Sequence, residues 1–229
     1  MDRPSLIAVL TGKTPEATRR RNERAKRWAR EDALATPQSR RAAWRSFLLA
    51  DHGFVRMVYL NRHRVSEELW RSAQPAPKDV ARAAAAGIRT VITLRNGYDF
   101  GSWPLEVEAC ARHGLDLVRL PLFSRNPPTV AMLEEAEATF ARIAWPALMH
   151  CKSGADRAGL GAALYLLIRK GRPAAEALAQ LRLVYGHVRW GRTGILDAFV
   201  EAYRDEGEAE GLACMEWART RYDREALME

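Results

Sequence analysis

Apolar positions recur along this chain in two rhythms. Ile88 to Leu94 (IRTVITL), Leu115 to Leu122 (LDLVRLPL) and Trp145 to His150 (WPALMH) are short runs rich in β-branched and apolar residues. Turn residues bound each of them, which is the pattern of buried strands. Leu69 to Ser72 (LWRS) is a fourth, stopped by Gln74-Pro75-Ala76-Pro77. Between and after the strands the spacing becomes helical. It predicts helices over Pro77–Ala86, Trp103–Arg112, Pro128–Ala144, Gly159–Lys170, Pro173–Tyr185, Gly194–Asp205 and somewhere within Gly207–Arg224. Gly87, His113-Gly114 and Gly171-Arg172-Pro173 are the stops. Strands alternating with helices imply βαβ crossovers. The fold class expected is α/β, with a mostly parallel central sheet of four to five strands flanked by helices.

The first 62 residues follow another pattern. Residues 15–31 (PEATRRRNERAKRWARE) predict a strongly basic helix, with Pro15 and Glu16 suited to its first turn. A second helix is expected from Pro37 to about Ala50. Phe54–Leu60 fits either state, and Asn61-Arg62-His63-Arg64 reads as a linker. The division expected is a basic helical extension over 1–62, a catalytic domain over 63–206, and an acidic helix over 207–229 packing on it.

Charge sharpens that division. The net charge of +8 sits in the first 72 residues, which hold 16 Lys and Arg against 8 Asp and Glu; the other 157 hold 20 against 20. The basic helix therefore suits an anionic surface or an acidic partner, or it pairs with the acidic C-terminal segment. Its apolar face (Ala17, Ala25, Trp28, Ala29) is too thin for a deep membrane anchor, and no nucleic-acid motif accompanies it. Cys110, Cys151 and Cys214 are too few and too irregularly spaced for a disulfide framework or a metal site. The apolar stretch Leu6–Leu10 is short for a secretory signal, and Gly159–Ile168 is short for a membrane span. A soluble protein of a reducing compartment, the cytoplasm, is expected, with no metal or cofactor.

The chemistry concentrates in residues 150–159, His-Cys-Lys-Ser-Gly-Ala-Asp-Arg-Ala-Gly, between an apolar strand and an apolar helix. A helix N-terminus and a nearby cation lower the pKa of a thiol. Cys151 has that position, and Arg157 follows six residues on. If the loop curls, its N–H groups over Lys152, Ser153, Gly154, Ala155, Asp156 and Arg157 form an anion nest. Arg157 can grip phosphate as a two-pronged fork, and Gly154 allows a backbone angle that a Cβ opposes. The bland alternative is a buried Cys followed by a charged turn.

These residues resemble the HCxxGxxR[ST]G loop of the protein tyrosine phosphatase superfamily, closest to its bacterial dual-specificity-like branch. Trp70-Arg71-Ser72-Ala73-Gln74-Pro75 and Thr90-Val91-Ile92-Thr93-Leu94-Arg95 resemble the RSxQP and TVIxLR strands of such domains. The resemblance covers about residues 65–205. It implies metal-independent hydrolysis of phosphate monoesters, with Cys151 as nucleophile and Arg157 as clamp. The substrate implied is a phosphorylated protein, phosphotyrosine or dual specificity. The alternative is a phospholipid or inositol phosphate, favoured by Lys152 and Asp156.

Two departures stand out. Ala158 occupies the place where the family has Ser or Thr, so thiolate departure loses a hydroxyl unless Ser153 replaces it. The loop after the Leu115–Leu122 strand carries no carboxylate, so the usual general acid is missing. Asp156 is the first candidate for that role and Asp99 the second. Both departures keep open a phosphate-binding pseudophosphatase. His150 is expected to be a buried hydrogen-bonding residue that positions the loop, and Arg125 a possible contact to a second anionic group. The segment Gly186–Gly194 reads as a loop that either closes over the site or carries solvated charges.

Overall fold

The computed structural model describes residues 15–228; the Leu6–Leu10 stretch lies outside them. Five strands form one sheet in the order β1-β2-β5-β3-β4. They are β1 (His63–Arg64), β2 (Leu69–Ser72), β3 (Thr90–Thr93), β4 (Asp116–Arg119) and β5 (Ala147–His150). All pairings are parallel except β1 with β2. The α/β class and the mostly parallel sheet stand as expected.

Period-two alternation sends the side chains of each strand to opposite faces. Leu69, Ile92, Ala147 and Met149 join the main core. Their neighbours Trp70, Val91 and Leu148 face the other way. Strands β3 and β5 are buried throughout, as central parallel strands covered on both sides must be.

In chain order the helices are α1 (Pro15–Trp28), α2 (Pro37–Arg45), α3 (Gly53–Val58), α4 (Pro77–Ala85) and α5 (Ser102–His113). They continue with α6 (Val130–Arg142), α7 (Asp156–Leu164), α8 (Ala174–Leu178), α9 (Ile195–Ala202) and α10 (Cys214–Thr220). The main core draws on α6 to α10, while α4 and α5 close the opposite face. Trp217 on α10 is fully buried in the main core.

The structure corrects several expectations. The predicted helix Pro173–Tyr185 is only α8 plus a single turn at Leu183–Tyr185. Helix α7 begins at Asp156, three residues earlier than the apolar run suggests. Phe54–Leu60 resolves into α3. The expected linker Asn61–Arg64 is structural: His63 and Arg64 form an edge strand, and Asn61 is buried. In the N-terminal segment, Trp28, Ala43 and Phe47 share a small core with Leu105 of α5. Arg40 grips Glu108 of α5 with two bonds of 2.7 and 2.6 Å. The basic helix α1 pairs within itself and with Asp99, while Glu210 and Glu225 of the acidic C-terminal segment pair with Arg221 and Arg224.

Candidate active site

The loop from Cys151 to Ala155 leaves the carboxyl end of β5, the central strand, and enters α7. Three donors from outside the loop take four of its carbonyls. The amide of Gln74 binds Lys152 O at 3.2 Å. Asn61 Nδ2 binds Ser153 O at 3.0 Å and Tyr185 O at 2.9 Å. Arg71 Nη2 binds both Gly154 O and Ala155 O at 2.9 Å. Holding the carbonyls outward leaves the intervening amides free to face Cys151. The Gly154 amide donates to Cys151 Sγ at 3.3 Å.

Gly154 has φ +76°, and a Cβ there would lie 2.6 Å from Ala73 N. Both facts require glycine. The Cys151 side chain is buried in the mouth of this loop, at the positive end of α7. The other two thiols lie in apolar surroundings. Burial pushes Cys110 and Cys214 each up to about 12, which leaves them inert as nucleophiles.

Arg71 is the main residue that sequence reasoning missed. It is fully buried, stacked 4.2 Å from the Tyr185 ring centroid, and also donates to Gln180 O at 2.6 Å. Burial draws its pKa down to about 10, opposed by the negative charge of Cys151. It is therefore still cationic at neutral pH and sits behind the loop. The available signal was an arginine inside an otherwise buried strand, a placement that demands partners.

Arg157 is half-buried on the first turn of α7 and has no hydrogen-bond or ion-pair partner among the described residues. Lys152 is turned aside, 3.4 Å from Asp51 and 5.5 Å over the Phe100 ring. Asp51 comes from the N-terminal segment and is fully buried. It accepts bonds from Arg95, Arg56 and Ser102. Burial alone would raise its pKa, but the bond from Arg95 and the charges of Arg95, Arg56 and Lys152 together outweigh it and the net direction is down.

His150 is fully buried next to Cys151 in the chain. Its Nε2 is 2.6 Å from Glu106 Oε1, a contact without hydrogen-bond alignment. Its Nδ1 faces Cys151 O at 3.2 Å. Glu106 Oε2 also accepts a bond from Gln74, which joins α5 to the strand that carries Arg71.

Asp156 begins α7, next to Arg157. Its Oδ1 lies 2.8 Å from His187 Nδ1, and His187 Nε2 lies 2.7 Å from Asp197 Oδ2. The Gly186–Gly194 segment is thus tied to the loop through a buried histidine. The turn before it, Leu183–Gly186, stands against Ala155: a Cβ at Gly186 would lie 3.6 Å from the Ala155 Cβ. Asp99 lies on the loop after β3 and is held by Arg21 at 2.8 Å. Arg125 is exposed on the loop after β4. Ser153 is exposed and its hydroxyl has no partner among the described residues; Ala158 is fully buried. Among the described residues no group of three or more His, Cys, Asp or Glu is arranged to hold a metal ion. None of their helices is long and apolar enough to cross a membrane.

Residues 62–164 match the model for the phosphatase-like domain of the beta-lactamase hydrolase-like protein family. The dual specificity protein phosphatase TpbA of Pseudomonas aeruginosa (strain UCBPP-PA14) is 30% identical over 126 residues, which is 54% of this chain and 54% of TpbA. The chain therefore spans about half the length of the curated relatives it matches. The crystal structure of Tk-PTP in its active form superposes with a TM-score of 0.51 at 18% identity, over 65% of this chain and 99% of that one. That likeness concerns the fold. In sequence the chain is thus similar to phosphatase domains, over residues 62–164 for the family model and over 126 residues for TpbA.

Proposed function

We propose that this protein hydrolyses phosphate monoesters through a cysteinyl-phosphate on Cys151. The observation that carries this reading is the outward anchoring of the loop carbonyls around a buried Cys151 Sγ, with Arg157 unpaired, among the described residues, on the first turn of the helix that follows. A phosphate dianion supplies what that arrangement lacks: an acceptor for the inward N–H groups and a carboxylate-like partner for the guanidinium.

In the first half-reaction the Cys151 thiolate attacks phosphorus, an S–P bond forms and the P–O bond to the leaving group breaks. The leaving oxygen takes a proton from Asp156. In the second, water attacks phosphorus, its proton returns to Asp156, and the S–P bond breaks to restore the thiolate. The cycle needs no metal. With Ala158 in place of a hydroxyl, and Ser153 facing solvent, the second half-reaction is the slower one.

The substrate class follows TpbA's description as a dual specificity protein phosphatase: phosphotyrosine and phosphoserine or phosphothreonine in proteins. Lys152, held by Asp51, is not free for a second phosphate, which favours that class over inositol phosphates. The test is an assay on an aryl phosphate, a phosphotyrosine peptide and a phosphoinositide, in the presence of a chelator. Turnover of the first two, insensitive to chelator and lost in Cys151→Ser, is expected. Turnover of the phosphoinositide alone would contradict the substrate class, and equal turnover by Cys151→Ser would contradict the nucleophile.

A further inference from the structure

His187 is buried, yet both of its ring nitrogens face carboxylate oxygens, Asp156 at 2.8 Å and Asp197 at 2.7 Å. A carboxylate only accepts, and a neutral imidazole carries one N–H. Two such bonds to ionised partners therefore need the imidazolium. Remove that proton and one nitrogen lone pair must face a carboxylate at hydrogen-bond distance. One bond then has to break. The Asp197 side chain is 5% exposed, whereas that of Asp156 is 26% exposed. Water can replace the bond to Asp156 far more easily, so that is the bond released.

We propose that His187 is a positioning residue for Asp156, and that its charged form holds the Asp156 carboxyl at the catalytic loop while Asp197 keeps the charge in place. The proposal rests on Asp156 being the proton-transfer group: the proton it gives to the leaving oxygen is the one shared by the Asp156–His187 pair, so the imidazolium beside an ionised Asp156 and the neutral imidazole beside a protonated Asp156 are two forms of one protonated pair. It makes the α7–α9 interface part of the catalytic apparatus: Asp156 opens α7, Asp197 lies on α9, and His187 bridges them from the intervening loop. The charged groups facing the imidazole are those two aspartates. Of the nearby cations, Arg71 is committed to loop carbonyls and Arg189 to Glu201 at 2.7 Å. Burial alone would lower the pKa of His187, but the bonds to Asp156 and Asp197 outweigh it and the net direction is up.

The test uses the full chain, with kcat measured against pH on one aryl phosphate with a good leaving group and one with a poor one. The variants are His187→Gln, Asp197→Asn and Asp156→Asn, each checked for folding by circular dichroism. In the wild type, kcat on the poor leaving group falls on the alkaline side as His187 loses its proton. His187→Gln should lose that limb and about tenfold in kcat on the poor leaving group, a fraction of what a general acid supplies. Asp197→Asn should move the limb to lower pH. A folded His187→Gln with the wild-type profile, beside a slow Asp156→Asn, would overturn the role of His187 and leave that of Asp156 intact. An Asp156→Asn enzyme as fast as wild type on both substrates would instead remove the reading beneath it. If His187→Gln does not fold, the His187 ring titration in the wild type, followed by NMR, decides. A pKa at or below that of free histidine overturns the proposal, and a raised one that falls in Asp197→Asn supports it.

Discussion

Arg71 Nη2 lies 2.9 Å from the Gly154 carbonyl oxygen, so β2, the neighbour of β5 in the sheet, anchors the loop that follows Cys151. The same nitrogen reaches the Ala155 carbonyl. The planar fork of arginine makes these bonds together with those to Gln180, and a lysine ammonium cannot span them. Arg71→Lys is expected to cost about 2 kcal/mol, the scale of losing hydrogen bonds to a charged group, and to lower kcat at least as much as KM rises. Chemical denaturation and steady-state kinetics check this. Wild-type values for both would remove Arg71 from the account.

Gly154→Ala tests the loop from the inside. Its φ of +76° and the 2.6 Å approach to Ala73 N mean that the added methyl meets both strain and backbone contact. Backbone strain of this kind costs about 1–3 kcal/mol. The expected result is a folded but less stable protein with weakened binding of inorganic phosphate, read as the inhibition constant. Unchanged phosphate inhibition would contradict the inward-facing nest.

Glu68 gives a pH dependence that does not involve the site. Its bond from Arg169, with those from Lys170 and Tyr165, holds its pKa down at about 2. A carboxylate whose folded pKa is depressed stabilises the fold above its unfolded pKa of about 4.3, and that stabilisation is lost as pH falls toward 2. Glu68→Gln should therefore lower the melting temperature at pH 7 and converge with wild type near pH 2. A constant difference across that range would contradict the ion-pair assignment.

Much of the fold was legible because burial writes itself into the strands. Ile88–Leu94 and Trp145–His150 are apolar because β3 and β5 are covered on both faces. The catalytic loop was legible for a related reason, since its residues are adjacent in sequence. The parts that escaped are assembled over long separations. Arg71 and Gly154 are 83 positions apart, and Asn61 and Ser153 are 92. Asp51 reaches the loop's Lys152 because helices α1 and α2 pack on α5. No periodicity reports such contacts. Asn61 was read as part of a linker because a single buried amide between charged residues looks like a turn until its partners are known.

Ala158 carries a kinetic consequence. If phosphoenzyme hydrolysis is the slow step, mixing enzyme with an aryl phosphate should give a burst of phenol equal to the enzyme present, followed by slower turnover. Ala158→Ser should raise the steady rate and shrink the burst. No burst, together with a rate that depends on the leaving group, would place the slow step in phosphoryl transfer to Cys151.

The central claim is the covalent intermediate. Rapid acid quenching of enzyme during turnover, followed by peptide mass spectrometry, examines it directly. The account predicts one phosphoryl group on the peptide that contains Cys151, none on those that contain Cys110 or Cys214, and none at all in Cys151→Ser. Turnover that proceeds with no phosphoryl group on Cys151, and continues in Cys151→Ser at the wild-type rate, would contradict it.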